Sequence, residues 1–400
     1  MIGYGEFMAL SQSPDSEERG MAAHLAALAY LNHKGPADEQ AALYAALFGF
    51  LEDRSVKVRA ALAYGLLHSA QAPRPLMLAL LQDAAVIARA VMQHSPALVD
   101  ADLLALARGA PVDELVCLAQ RENLSARLAD ALLVRGIVEV DLVVLRRGEL
   151  ALGAERLRDK AAVSGNIPAI RGALLARADL PADVRLALVE AAGQAIAGLR
   201  IVKGAIAPER LARLLRNAED AALARIGERD AQGEAADGFA RHVIDTGRLN
   251  TRLLMHAMVH GQAMFFAACC AALAQLPQRK VFAVLGSGSR TALNALFVRC
   301  GLEPGVRNLF ARLIDYARSV DLADDLAARH YVVNALTEDL LAEHDGAVPD
   351  ELAEAFAYLG EQNVILARRA ARGVLASFAA EQPETALALP QAERMALPAA

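Results

Sequence analysis

Tryptophan is absent from this sequence, and aromatic residues make up only 4% of its 400 residues. Sheet proteins favour aromatic and β-branched side chains, so this scarcity argues against a fold built on a β-sheet. Four cysteines are too few for the disulfide framework of a secreted scaffold. We therefore expect a helical protein in a reducing compartment, the cytoplasm.

Long apolar runs are missing as well. The most apolar stretch, residues 263–274, is shorter than the roughly 20 residues of a membrane-spanning helix. The first residues have neither a basic start nor an apolar core of signal-peptide length. We expect no membrane span, and we predict that residues 263–274 form a helix buried between other helices.

The chain is rich in alanine and leucine, and glycine or proline separates its apolar segments. Hydrophobic residues make up 55% of the sequence, and many of them are alanine, the best helix former. Glycine and proline interrupt apolar runs that have helical spacing, such as Leu128 and Leu132. Residues 137–145 resemble a strand, but one short run does not make a sheet. The pattern predicts an all-α fold.

Two segments repeat at a fixed offset. LEDRSVKVRAAL (51–62) aligns with LQDAAVIARAVM (81–92), which pairs Asp53 with Asp83 and Arg59 with Arg89. We expect the aspartates to cap helix N-termini and the arginines to bond between repeats. A looser match joins residues 122–133 to residues 178–189 and predicts that Ser125 is an N-cap. Such hairpins bury their apolar faces by stacking.

These repeats predict an all-α, HEAT-like α-solenoid of helical hairpins with a C-terminal helical domain. A charged, glycine-containing stretch, residues 227–238, is predicted to be a loop. The predicted divisions are a flexible N-terminus (1–18), HEAT-like repeats (19–204), an all-helical C-terminal domain (205–378) and a flexible tail (379–400).

The chain also resembles a known family. Residues 94–107, 118–136, 247–277 and 295–304 are similar to the bacterial domain-of-unknown-function family 2336, and the resemblance covers residues 40–310. It implies HEAT-like character and brings no catalytic residues. Arg146 and Arg147 stand where the family pattern has an asparagine, so the loop there is expected to differ.

His256 and His260 are the first candidates for chemistry. Four residues apart on a helix, they share a face and could ligate a metal. The metalloprotease pattern needs Glu after the first His, but this chain has Ala257. A simpler interpretation is a pair of partly buried polar residues. Three further side chains could supply a third ligand: His242, Cys269 and Cys270. The two cysteines are otherwise expected to be core residues.

A glycine-containing segment could bind phosphate. Gly286 and Gly288 fit the start of the dinucleotide fingerprint, but Thr291 occupies its third glycine position. The alternative is a junction between helices, with Ser289 or Thr291 as N-cap and Arg290 beside it.

Arginines form the other candidate site. Arg210, Arg213 and Arg216 would share one helix face and could contact nucleic acid. A further basic cluster lies at Arg368, Arg369 and Arg372. The net charge of −6 argues against nucleic acid as the partner, and a solvated face is the simpler interpretation.

The residues thus favour a non-enzymatic protein–protein interaction or assembly protein that binds through a helical-repeat surface. We expect a protein partner and no cofactor, and a homo-oligomer stays open. One alternative is a metal- or ligand-binding enzyme or sensor centred on residues 242–290. The other is a nucleic-acid-binding HEAT-like protein.

Overall fold

The computed structural model describes residues 4–233 and 238–381, and every regular element in those ranges is an α-helix. The predicted all-α class is confirmed, and residues 138–145 are helical rather than extended. The chain divides into two compact units, Met1–Val184 and Arg185–Ala400. The division lies before the predicted boundary at residues 204 and 205.

The first unit is a succession of short helices. They are α1 (Tyr4–Ser11), α2 (Ser16–Asn32), α3 (Ala37–Leu51), α4 (Val56–Leu66), α5 (Arg74–Leu80), α6 (Ala85–His94), α7 (Asp100–Gly109), α8 (Val112–Ala119), α9 (Ala126–Val134), α10 (Val138–Leu145), α11 (Ala154–Ser164), α12 (Pro168–Ala176) and the start of α13 (Ala182–Gly198). The predicted N-cap at Ser125 is confirmed, because its side chain accepts the N–H of Leu128.

The even-numbered helices of this unit pack in a row. The even row is α2, α4, α6, α8, α10 and α12, and each of these helices contacts the next member of the row. Each even helix from α4 onward also contacts the odd helix that precedes it, so α3 packs on α4 and α9 on α10. Fully buried leucines such as Leu62, Leu66 and Leu115 fill the space between the helices. Apolar faces that a single hairpin could not cover are thereby removed from water.

Arginine–aspartate pairs join successive even helices at one edge of the row. Three pairs repeat the arrangement: Arg19–Asp53 at 2.7 Å, Arg59–Asp83 at 2.7 Å and Arg89–Asp113 at 2.9 Å. The bonds expected between repeats at Asp53, Arg59, Asp83 and Arg89 are therefore present. Asp53 and Asp83 also accept the backbone N–H of Ser55 and Ala84, the N-cap residues of α4 and α6.

At the other end of the even helices, arginines cap the carbonyl groups of the preceding repeat. Arg121 donates to Ser95 O at the end of α6, at 2.6 Å. Arg147 donates to Ala119 O at the end of α8, at 3.1 Å, and to Glu122 O just beyond it, at 2.9 Å. The last carbonyls of a helix have no partner within it, so each arginine satisfies groups that would otherwise be unbonded. Arg147, which stands where the family pattern has an asparagine, thus has a structural contact.

One buried ion pair links α10 to α11. Lys160 Nζ lies 2.8 Å from Asp141 Oδ2 and donates to Leu133 O at 2.8 Å. Both side chains are almost completely buried, and burial raises the pKa of Asp141. Removing either partner would leave the other charge in the core.

The second unit continues with longer helices. They are the rest of α13, then α14 (Arg200–Ala205), α15 (Pro208–Ala231), α16 (Gly238–Asp245), α17 (Thr251–Val259), α18 (Ala263–Ala274), α19 (Gln278–Ser287), α20 (Arg290–Arg299), α21 (Pro304–Ala317), α22 (Leu326–Glu343) and α23 (Asp350–Glu381). Helix α17 contacts α15, α18, α21, α22 and α23, so it lies at the centre of this unit.

Helix α18 is the buried apolar helix that the sequence predicts at residues 263–274. Phe265, Phe266, Cys269 and Cys270 have no exposed surface. Helix α18 contacts α15, α16, α17, α19 and α20, which cover it on all sides. No described helix combines the length and hydropathy that crossing a membrane requires.

The loop predicted at residues 227–238 is wrong over its first part, because α15 continues to Ala231. Gly227 lies inside this helix, where a Cβ atom would overlap the ring of Phe265. The glycine therefore serves close helix packing rather than chain reversal. Residues 234–237 lie outside the described part of the chain.

Two expectations concern the chain ends. Within residues 1–18, which we expected to be flexible, α1 packs against α2 and the ring of Phe7 meets Phe50 edge-on at 6.3 Å. Within the predicted tail, residues 379–400, α23 extends to Glu381 and the remainder lies outside the described residues.

Candidate functional site

The two candidate histidines lie side by side at the end of α17. Their rings stack with centroids 4.0 Å apart and planes inclined by 18°. His260 is the C-cap of the helix, and its Nδ1 donates to His256 O at 3.0 Å. Gly261 follows with φ of +72°, a left-handed conformation that ends the helix and favours glycine. The helix and its end together fix both imidazoles on one face.

A network of polar side chains also holds His256 through its Nδ1 atom. Its Nδ1 lies 3.2 Å from the hydroxyl of Tyr358, which is completely buried. Arg252, one turn earlier on α17, lies over the Tyr358 ring at 5.3 Å from its centroid. Arg252 is itself bonded to Asp220 at 2.7 Å and to Glu361 at 2.8 Å. Helices α15, α17 and α23 are therefore tied together around the histidine.

The surroundings keep both imidazoles neutral. Burial, the second imidazole and the charge of Arg252 lower the pKa of His256 to about 2. Burial lowers the pKa of His260 to about 4, and the charges of Arg329 and Arg369 act in the same direction. At neutral pH these rings are uncharged hydrogen-bonding groups.

Both imidazoles line a cavity of about 110 Å³. The cavity lies between α15, α17 and α23, and most of the residues that line it have polar side chains. Its lining residues are Asn217, Ala221, Arg225, His256, His260, Gln262, Gln362, Ile365 and Arg369. Gln362 is almost fully buried, and Gln262 Oε1 is buried with no hydrogen-bond partner.

The third metal ligand proposed from the sequence does not meet the histidines. His242 stacks on Phe239 in α16, and Cys270 packs against Cys300 in the apolar core. Burial raises the pKa of Cys269, and the hydrogen bond with Cys300 together with burial raises the pKa of Cys270, so neither is a thiolate at neutral pH. Among the described residues, no three His, Cys, Asp or Glu side chains are grouped as metal ligands. The charges around the cavity are cationic, which disfavours a metal cation.

Two of the three arginines that the sequence places on one helix face line a second cavity. Arg210 and Arg213 of α15 and Arg368 of α23 line a space of about 330 Å³, whereas Arg216 is not among its lining residues. Two basic clusters that are far apart in the sequence therefore meet. This cavity shares Asn217 and Ile365 with the histidine cavity. We call the two together the α15–α23 groove.

The segment around Gly286 and Gly288 is a junction between helices. Helix α19 ends at Ser287, and Ser289 caps α20 by accepting the N–H of Ala292 at 3.3 Å. The N-cap is thus Ser289 rather than Thr291. Arg290, considered for phosphate binding, pairs with Asp315 at 3.1 Å.

The even row of the first unit presents an apolar face. Tyr64 on α4 and Val86 on α6 are each 69% exposed, and each lies opposite the buried residues of its helix. The rings of His68, just beyond α4, and His94, the last residue of α6, are 5.5 Å apart, which brings the C-terminal ends of the two helices together. The charges of Arg59 and Arg89 are already paired. We call this surface the even-row face.

The sequence did not indicate several residues of the histidine cavity. Gln362 and Arg225, which line it, and Tyr358, which bonds His256, lie on helices other than α17, and nothing in their local pattern separates them from other helical residues. Gln262 is the cavity residue that the sequence could have indicated, because it directly follows the glycine that ends the helix of the two histidines.

A family model described as an uncharacterised protein conserved in bacteria, DUF2336, matches residues 87–350. The matched range includes both histidines and ends where α23 begins. Neither the curated proteins nor the solved structures give a significant match to this chain.

Proposed function

The chain belongs to the bacterial domain-of-unknown-function family 2336, and we propose that it is a non-enzymatic interaction protein that binds a protein partner through HEAT-like repeats. The observation that carries this proposal is the even-row face, an apolar surface on helices whose own charges are paired. Tyr64 and Val86 are its most exposed apolar side chains.

The packing of the first unit supports a repeat architecture. Every substantial contact between its helices joins elements that are neighbours or next neighbours in the chain. In a solenoid each repeat contacts only its neighbours, and the stacked outer helices form an extended surface for partners. The repeated pairs such as Arg59–Asp83 fit this arrangement, because each joins one repeat to the next. We therefore propose a HEAT-like solenoid for the first unit.

The chemistry of the even-row face favours a protein over nucleic acid. Nucleic acid is bound through unpaired lysine and arginine side chains that contact phosphate. On this face Arg59 pairs with Asp83 and Arg89 with Asp113, while exposed tyrosine and valine remain. Aromatic side chains are enriched where protein interfaces form.

Two further features belong to this proposal. The four cysteines are unpaired, which supports a cytoplasmic location. The groups with catalytic chemistry in α17 and α18 are neutral imidazoles and buried thiols, which supports binding rather than covalent catalysis. A second copy of the chain is one candidate for the partner.

Site-specific photocrosslinking in the native cell tests the proposal. A photoreactive phenylalanine analogue is placed at residue 64 or 86, and at residue 163 as a matched control. Val163 lies on α11 of the odd helices and is 77% exposed, against 69% for Val86. We expect a protein adduct of one discrete mass from positions 64 and 86 and none from 163. Equal labelling from all three positions, or no adduct from 64 and 86, would refute the even-row face as the interface.

A further inference from the structure

Positive charge is left unneutralised at the histidine cavity. Arg225 of α15 and Arg369 of α23 line it, and neither forms a hydrogen bond or ion pair with any residue that the structure describes. Arg252, one turn before His256 on α17, is by contrast bonded to two carboxylates.

A third arginine adds positive charge near the histidine cavity. Arg329 of α22 donates to Leu322 O at 2.5 Å and also to Ala323 O. Burial lowers its pKa, and the charges of Arg369 and Arg225 act in the same direction, although Asp324 and Asp321 oppose them. Arg329 does not line the cavity, but its charge acts on His260 and adds to the positive potential there. That potential favours a bound anion.

The wall of the cavity also holds hydrogen-bonding groups without partners. When the Tyr358 hydroxyl donates to His256 Nδ1, the neutral ring carries its proton on Nε2, and Nε2 has no partner among the described residues. Gln262 Oε1 is buried and unbonded. Turning this amide would present its N–H groups instead. Buried polar groups are normally satisfied, so unpartnered ones in a cavity indicate a missing ligand or water.

We propose that this cavity binds the phosphoryl group of a small phosphorylated molecule between Arg225 and Arg369, against the Nε2–H group of His256. Guanidinium groups match phosphoryl oxygens in a two-bond geometry. The remainder of the molecule lies along the α15–α23 groove towards Arg210 and Arg213.

The sizes of the two cavities fit this assignment. The histidine cavity, at about 110 Å³, is several times the roughly 10–15 Å³ that one water needs on such a measure, so it has room for a group of a few heavy atoms. It is too small for a nucleoside. The adjoining space of about 330 Å³ shares Asn217 and Ile365 with it and contributes further arginines, which suits a second phosphoryl group.

Calorimetric titration of the full chain with inorganic phosphate and with pyrophosphate, at constant ionic strength set by NaCl, tests the proposal. We expect saturable binding of both anions, with pyrophosphate tighter. Arg225→Gln and Arg369→Gln should each weaken pyrophosphate binding about ten-fold or more, since each removes charged hydrogen bonds. Both residues are exposed, so the variants should fold.

Arg216→Gln is the matched control, because Arg216 is exposed on the same helix as Arg225 but lines neither cavity. Its affinity should stay within about two-fold of the unmodified chain. The proposal is overturned by an absence of saturable binding, or by equal weakening in Arg216→Gln. It is also overturned if a single-stranded oligonucleotide binds in an Arg225-dependent way while pyrophosphate does not, because the ligand would then be a nucleic acid.

Discussion

Lowering the pH should destabilise the protein through the buried histidine pair. The pKa of His256 is about 2 and that of His260 about 4 in the folded chain, against an ordinary value of 6.5. Between pH 6.5 and pH 4, the unfolded chain therefore binds two protons that the folded chain does not. Stability rises with pH wherever the unfolded state binds more protons, so the free energy of unfolding must fall as the pH falls through this window.

The size of the effect follows from the depth of burial. One pKa unit corresponds to about 1.4 kcal/mol. A ring that stays neutral in the folded chain therefore lowers the free energy of unfolding by about 2 kcal/mol at pH 5. His256 is 4% exposed and takes this full value. His260 is only partly buried, and we count it at about half to allow for solvent screening. The pair then costs about 3 kcal/mol, a large fraction of the roughly 5–15 kcal/mol that stabilises a typical domain.

Urea denaturation followed by far-UV circular dichroism at pH 7, 6 and 5 measures this cost. The comparison is between the unmodified chain and His256→Asn, whose amide keeps a hydrogen-bonding group near Tyr358. The variant should be less stable at pH 7 but should lose about 2 kcal/mol less between pH 7 and pH 5. His68→Asn, at an exposed position just beyond α4, is the control and should follow the unmodified chain. Parallel pH curves for the unmodified chain and His256→Asn would refute the reasoning.

Three further predictions concern stability, each measured by urea denaturation at pH 7. Lys160→Ala leaves its buried carboxylate partner unpaired and should cost about 3–5 kcal/mol, whereas Arg158→Ala, on the same helix but exposed, should cost less than about 1 kcal/mol. Gly227→Ala should lower the free energy of unfolding by about 1–3 kcal/mol, because the added methyl group overpacks against Phe265. Gly172→Ala, in open space on α12, should raise it by about 0.5–1 kcal/mol. A change of the same sign in both variants would contradict this packing. Arg147→Gln should cost about 1–3 kcal/mol, because carbonyls after α8 lose charged donors, and no change would show that water replaces them.

Local sequence patterns were enough to predict the all-α class. The aspartates at positions 53 and 83 and the arginines at 59 and 89 align at a fixed offset, and in the structure each pairs with a residue of the neighbouring even helix or of the turn before it. The apolar run at residues 263–274 predicted a buried helix because no polar residue interrupts it. These features depend on spacing within one or two helices, which a single sequence displays.

Features that depend on close approach between distant helices were not predictable. In the sequence Gly227 indicates a loop, yet it lies within α15. The residue is glycine there because the Phe265 ring leaves no room for a side chain. The spacing of His256 and His260 placed them on one face but could not show that Arg225 and Arg369 would surround them with positive charge. The sequence therefore favoured a metal as the alternative ligand, and the charges favour an anion.

The central claim, that the even-row face binds a protein, is tested most directly by the affinity of the photocrosslinked partner, once purified, for two matched variants. Val86→Glu places a carboxylate on this face, and Val163→Glu places one at an equally exposed valine on α11. We predict that Val86→Glu weakens binding at least about ten-fold, since a charge at the centre of an apolar interface is costly, and that Val163→Glu leaves affinity unchanged. Equal affinity of the two variants would contradict the account.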